Sequence, residues 1–128
     1  MQENSIVLHI PFLPCSVNKA YAGYRKRHKS DEYKAFFGRM IEWMSKNTTY
    51  EIEGDKWLRV EYTFFFPLFF KNGKIRTRDV SNFEKVLSDF FGNKNYGIKG
   101  FDDKKIKQLL LTKQDSDDER MEVVIYEI

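Results

Sequence analysis

The sequence holds one cysteine, Cys15, among its 128 residues. A lone thiol closes no internal disulfide, so the fold must stand on its core, as suits a reducing compartment. Prolines number three, Pro11, Pro14 and Pro67. Each stands at a break in the apolar pattern. Long hydrophobic runs are missing too. The most apolar stretch, Tyr62 to Phe70, is interrupted by Pro67 and falls far short of the ~20 residues of a membrane helix. No basic and then apolar leader opens the chain, so no signal peptide is expected and the expected location is cytoplasmic. Excess charge of one sign is small: 22 Lys and Arg against 19 Asp and Glu give +3, which by itself argues for no particular partner. Internal repeats, low-complexity tracts and linkers are absent, and the length suits one domain, residues 1–128.

Aromatics are abundant, with twelve Phe and seven Tyr, so the core is expected to be built on rings. The small net charge hides an uneven distribution. Arg25, Lys26, Arg27 and Lys29 form one basic cluster, Lys71, Lys74, Arg76 and Arg78 a second, and Lys104, Lys105 and Lys107 a third. Much of the acid sits apart, in Asp115 to Glu119. Local positive fields beside a few isolated acids suit a binder of phosphate backbones, although ordinary solvated faces produce the same pattern.

Ile6, Leu8 and Ile10 alternate with Val7 and His9 and predict a short strand ended by Pro11. Pro11 to Lys29 has no period and reads as a long basic loop. Ser30, Asp31 and Glu32 mark a helix start, a capping hydroxyl followed by acids in the first turn. The helical spacing of Tyr33, Phe36, Phe37, Met40, Ile41 and Met44 makes its core-facing stripe. Leu58, Val60, Tyr62, Phe64 and Phe66 alternate with Arg59, Glu61 and Thr63, a strand with one wetter face. Lys71-Asn-Gly-Lys74 is turn-like. A second helix runs from Asn82 to Phe91 with Phe83, Val86, Leu87 and Phe90 on one face, and Gly92 is placed to stop it. Two strands follow, Lys105 to Lys113 and Met121 to Tyr126, joined by the acidic turn from Gln114 to Arg120. The order β-α-β-α-β-β predicts an α+β fold, a mostly antiparallel sheet with two main helices.

Chemistry concentrates in Arg76-Thr-Arg-Asp79-Val-Ser81-Asn82-Phe-Glu84-Lys85, then Asp89, then Phe101-Asp102-Asp103-Lys-Lys-Ile106. Phosphodiester cleavage needs a hard cation held by oxygen ligands and a nearby positive group for the developing charge. Asp79 lies just ahead of a helix N-terminus, which itself favours an anion, and Asp102 and Asp103 lie just ahead of a strand. Asn82, Lys85 and Asp89 fall at i, i+3 and i+7, a polar stripe along the helix. On spacing alone, Asp79 and Asp102 serve equally well as turn residues, and Lys85 with Asp89 as a surface pair.

The pattern Arg-Asp-x-x-Asn-x-x-Lys followed by Asp-Asp-x-x-Ile resembles the RusA family of Holliday junction resolvases. Ile10-Pro, Pro14-Cys-Ser16-Val17-Asn18 and Lys29-Ser30 with Tyr33 resemble the family's N-terminal part, and the likeness runs from about Ile6 to Tyr126. The resemblance implies a homodimer that nicks opposing strands of four-way DNA junctions with Mg²⁺ or Mn²⁺, in recombination and repair. By matching position it makes Asp79 and Asp103 catalytic carboxylates, Lys85 the catalytic lysine and Asp102 an acidic neighbour at the metal. The loop Arg25, Lys26, Arg27 and Lys29, with Lys74, Arg76 and Arg78, would grip DNA phosphates. Ser81 departs from the family, which commonly has Asp there as a metal ligand. Ser81-x-x-Glu84 reads as a capping box. With one carboxylate fewer, either Asp102 or Asp89 joins the metal site, Ser81 holds a metal-bound water, or the chain binds branched DNA without cutting.

Among the remaining residues, His9 reads as an ordinary strand residue, His28 as a solvated or phosphate-touching one, and Cys15 as a small inert thiol. Trp43, Trp57 and the Phe pairs read as core or interface. One exposed Phe is a possible wedge between bases.

Overall fold

A computed structural model describes residues 5–15, 21–22, 28–47 and 50–128, with only the backbone described at 21–22 and 28–29. The chain divides into two compact units: residues 1–13, 55–81 and 104–128 form the first, and 14–54 and 82–103 the second. Among the described residues, two helices and a four-stranded, mostly antiparallel sheet make this an α+β fold.

The first unit is the sheet. Strand β1 (Ser5–Ile10) buries Leu8 and Ile10 and leaves Val7 and His9 exposed, as the alternation requires. Strand β4 (Leu58–Phe66) is central. Its Leu58, Val60, Tyr62 and Phe64 are fully buried, while Arg59, Glu61 and Thr63 stay half-exposed on the other face. Strands β5 (Ile106–Asp115) and β6 (Arg120–Glu127) lie on either side of β4, giving the order β1-β6-β4-β5. β6 runs antiparallel to both its neighbours, but β5 is parallel to β4. That reversal follows from the long connection containing a helix, which brings the chain back to start β5 in the same direction as β4.

Cross-strand cation–π contacts brace the wetter face. The Arg59 guanidinium lies 4.1 Å from the centre of its partner Tyr126, and Arg120 lies 3.6 Å from the centre of Phe65. Each Arg thereby covers apolar ring surface while keeping its charge near water.

The second unit carries a small ladder and both helical faces. Strands β2 (Tyr21–Ala22) and β3 (His28–Lys29) pair antiparallel, so the expected long loop contains a short hairpin-like element. Helix α1 (Asp31–Lys46) starts as expected: Ser30 Oγ accepts from Tyr33 N at 3.2 Å. Its buried residues are Tyr33, Phe36 and Met40. Helix α2 (Val80–Phe91) begins two residues earlier than its apolar period suggests. Phe83, Val86, Leu87, Phe90 and Phe91 are buried, and Phe37 stands edge-on to Phe90 with centroids 5.1 Å apart. The core of both units is aromatic, as the composition implies. Trp57, by contrast, is 55% exposed and belongs to no core.

Among the described residues no helix is long and apolar enough to cross a membrane. Phe64, fully buried in central β4, tests the sheet: Phe64→Ala should cost about 3–5 kcal/mol of unfolding free energy, measured by urea denaturation.

Candidate active site

The carboxylate of Asp79 caps α2. Its Oδ1 accepts the backbone N–H of Ser81 at 3.0 Å and the Ser81 hydroxyl at 2.5 Å. With Val80 as the first helical residue, Asp79 stands at the N-cap and Ser81 at the second helical position, where a capping side chain finds its amide. The expected capping box is therefore corrected. Ser81 is a donor to the cap rather than the cap itself, and Glu84 turns the other way to accept from Ser88 Oγ at 2.7 Å. The physical reason is that a carboxylate is the better acceptor for the positive end of a helix than a hydroxyl, so the start moves to Asp79.

Asp79 is exposed, yet its carboxyl is held below the ordinary aspartate range. The Ser81 hydroxyl is the main cause and the Ser81 amide the second; desolvation opposes them, and nearby Lys113 adds the smallest attraction. Both hydrogen bonds fall on Oδ1, and Oδ2 takes part in neither. Thus Asp79 is a fixed, ionised carboxylate with one oxygen already engaged. Lys113 was not legible beforehand, because β5 brings it near Asp79 from far along the chain.

Just ahead of Asp79 in sequence the first unit carries cations and rings. The turn predicted at Lys71 to Lys74 is the tip of a larger excursion. Phe70 N donates to Lys74 O, Gly73 N to Phe70 O and Arg76 N to Leu68 O, and Phe69 bridges to Ile75. Gly73 takes φ +85° at the tip, and Asn72 Oδ1 accepts from Lys74 N at 3.0 Å. Phe69, Phe70 and Ile75 are all more than half exposed. Arg76 lies 5.2 Å from the centre of the Phe70 ring. Arg78 is equally far from Phe66 and also pairs with Glu119 at 3.7 Å. Arg78 is thus partly held by its own unit, whereas Lys71 and Lys74 are exposed. Arg25, Lys26 and Arg27 lie outside the described residues, as does the side chain of Lys29.

In the second unit, Asp102 is half-exposed and Asp103 exposed, on the turn Asp103–Lys105 that leads into β5. This turn is braced from behind. Ile52 N donates to Lys99 O at 2.8 Å and Phe101 N to Ile98 O at 3.0 Å. The Phe101 ring meets Phe91 with centroids 5.8 Å apart. Gly100 has φ +87° and its Cα faces the Ile52 carbonyl so closely that a β-carbon would collide with it. Glycine is required on both counts. On α2, Lys85 and Asp89 are both exposed, and among the described ion pairs they do not pair with each other.

The candidate metal ligands are all oxygen donors, the kind a hard cation takes. Among the described residues no group of three or more His, Cys, Asp or Glu side chains stands ready to hold a metal ion. Mg²⁺ does not need one: it keeps several waters and commonly takes one or two carboxylates beside substrate phosphates. Asp79, with Oδ2 outside the cap, fits that demand.

Of the other singled-out residues, His9 and Cys15 lie among the described residues, and the side chain of His28 lies outside them. His9 Nδ1 sits 3.4 Å from its cross-strand neighbour Glu122. Cys15 is half-buried, and burial, then the charge of Glu32, push its thiol up. It is therefore the poor nucleophile expected.

A family model described as endodeoxyribonuclease RusA matches residues 11–126, nearly the whole chain. No curated protein matches it.

Removing the hydroxyl in Ser81→Ala should raise the Asp79 carboxyl toward its ordinary value of about 3.9, read by carbon-detected NMR titration. The sign follows from linkage. A depressed carboxyl stabilises the fold fully above the ordinary value, and that stability is lost as pH falls through the lower folded value. Acid unfolding of Ser81→Ala should therefore begin at higher pH than that of the wild type. Separately, Gly100→Ala should cost at least about 1–3 kcal/mol, by thermal denaturation, since both φ and space oppose it.

Proposed function

The chain belongs to the RusA endodeoxyribonuclease family, and on that footing we propose that it is a Mg²⁺- or Mn²⁺-dependent resolvase of four-way DNA junctions. The observation that carries this reading is the near-complete family match combined with the ionised, hydrogen-bonded carboxylate of Asp79 at the motif the family shares. In this reading Asp79 would be the first metal ligand, and Asp103 with its neighbour Asp102, or Asp89, would supply the others. Bound by these oxygens, a divalent cation would polarise the scissile phosphate and make its water acidic.

The chain's own residues do the rest. Ser81 keeps the family's position but not its charge: by donating to Asp79 it lowers that carboxyl and engages Oδ1. It is a positioning residue in this reading rather than a ligand. Lys85, exposed on α2, provides positive charge for the oxygen that leaves. The cluster Lys74, Arg76 and Arg78, with Arg25, Lys26, Arg27 and Lys29, grips backbone phosphates without reading base sequence. Exposed Phe69 and Phe70 offer rings to unstacked bases at the branch. A homodimer suits a four-way junction, because both have two equivalent positions related by a two-fold axis.

A specific observation keeps the second reading, junction binding without cleavage, in view: the Ser81 hydroxyl cannot supply the charge of the missing carboxylate, and its proton is committed to Asp79. The two readings part on one assay. A synthetic four-way junction should be nicked on paired strands in Mg²⁺ or Mn²⁺ and left intact in EDTA. Asp79→Asn should lower the rate at least about a hundredfold, the equivalent of roughly 2.7 kcal/mol. Ser81→Asp should shift the metal concentration needed. Binding with no cutting by wild type, together with cutting by Ser81→Asp, would instead establish the second reading.

A further inference from the structure

Among the described residues strand β5 is an edge of the sheet, ten residues long and paired there only with β4, to which it runs parallel. Edges of this length are usually short-circuited by proline, bulges or covering loops, because their unpaired amides and carbonyls invite another strand. β5 contains no proline, and Leu109 and Leu110, on opposite faces, are 42% and 55% exposed. The other edge, β1, has six residues and one comparably exposed apolar side chain, Val7. The charges of β5 are also polarised. Lys104, Lys105 and Lys107 stand at its start, and Asp115 is followed by Asp117, Asp118 and Glu119 at its end.

We propose that two copies of the chain pair through β5, antiparallel, about a two-fold axis at Leu111. This deepens the homodimeric reading above and rests on it. The register can be argued from the residues. An axis normal to the sheet keeps each face continuous, so residues directly opposite share a face and the axis passes through a residue rather than between two. An axis at Leu110 sets Lys107 opposite Lys113, a like-charge pair that destabilises. An axis at Thr112 sets Leu109 against Asp115 and Leu111 against Lys113. An axis at Leu111 sets Lys107 opposite Asp115 twice by symmetry and Leu111 against its own copy. Leu110 then meets Thr112, Gln108 meets Gln114, and the Lys113 stem lies along Leu109. One Asp115 oxygen already accepts from Leu68 N at 2.9 Å, which holds that carboxylate at the strand end. Of the three registers, this one alone sets Lys107 opposite an acid within β5, and it keeps Asp115 off a leucine.

Cysteine crosslinking tests the register directly. In a Cys15→Ser background, Leu111→Cys should give a covalent dimer under mild oxidation, because residues opposite one another on the axis lie within disulfide reach. Leu109→Cys and Leu110→Cys, as exposed but off the axis, should not. Lys107→Asp should weaken the dimer at least tenfold by sedimentation equilibrium. A wild type that sediments as a dimer but does not crosslink at Leu111, or crosslinks at Leu109 or Leu110 instead, overturns this interface and leaves the homodimeric resolvase standing. A wild type that is monomeric at every concentration overturns both the interface and the homodimer.

Discussion

The first turn of α2 has backbone amides with no partner inside the helix, and the chain answers them with Asp79. That single demand organises the region the family motif occupies. It fixes where the helix starts, places Ser81 within the first turn, and turns the Ser81 hydroxyl onto the carboxylate instead of outward. The same contact that stabilises a helix end also lowers the carboxyl of an exposed aspartate. The structural cap and the proposed metal ligand are therefore one residue, whose Oδ1 alone takes the cap bonds. Where the family commonly has a second carboxylate, this chain has a hydroxyl that serves the first.

The sheet shows a related economy. β4 lies between an antiparallel and a parallel neighbour, with its inner face given to large rings and its wetter face covered by Arg59 and Arg120 stacked on Tyr126 and Phe65. Arginine serves well here because its flat cation lies on a ring and still reaches water. The same chemistry recurs in Arg76 on Phe70 and Arg78 on Phe66. Arg76 and Arg78 are consequently held against the protein's own aromatic surface, which limits their freedom. On the far side of the turn before β5, a glycine with positive φ and a tight backbone approach fixes the route to Asp102 and Asp103.

The sequence by itself determined the elements whose cause is local. Alternation of Leu8 and Ile10, and of Leu58 to Phe66, predicts strands because successive side chains point to opposite faces. The Ser30 cap and the spacing of Tyr33, Phe36 and Met40 predict α1, because a helix returns to the same face every three or four residues. The motif from Arg76 to Ile106 was legible as well, since its residue types and spacing are carried in the chain itself.

Only the tertiary structure decided the rest. Ser81 and Glu84 had the spacing of a capping box, but a carboxylate two residues upstream competes better for the helix's free amides, so the start moved to Asp79. Lys113 has no sequence neighbour that connects it to Asp79; strand pairing does. β5 reads as any strand, and nothing in its residues says that it runs parallel to β4 or that it ends the sheet. Periodicity reports which side of an element is apolar. It carries no term for which partner satisfies a hydrogen bond or which strand lies alongside, because those are settled by competition among groups far apart in the chain.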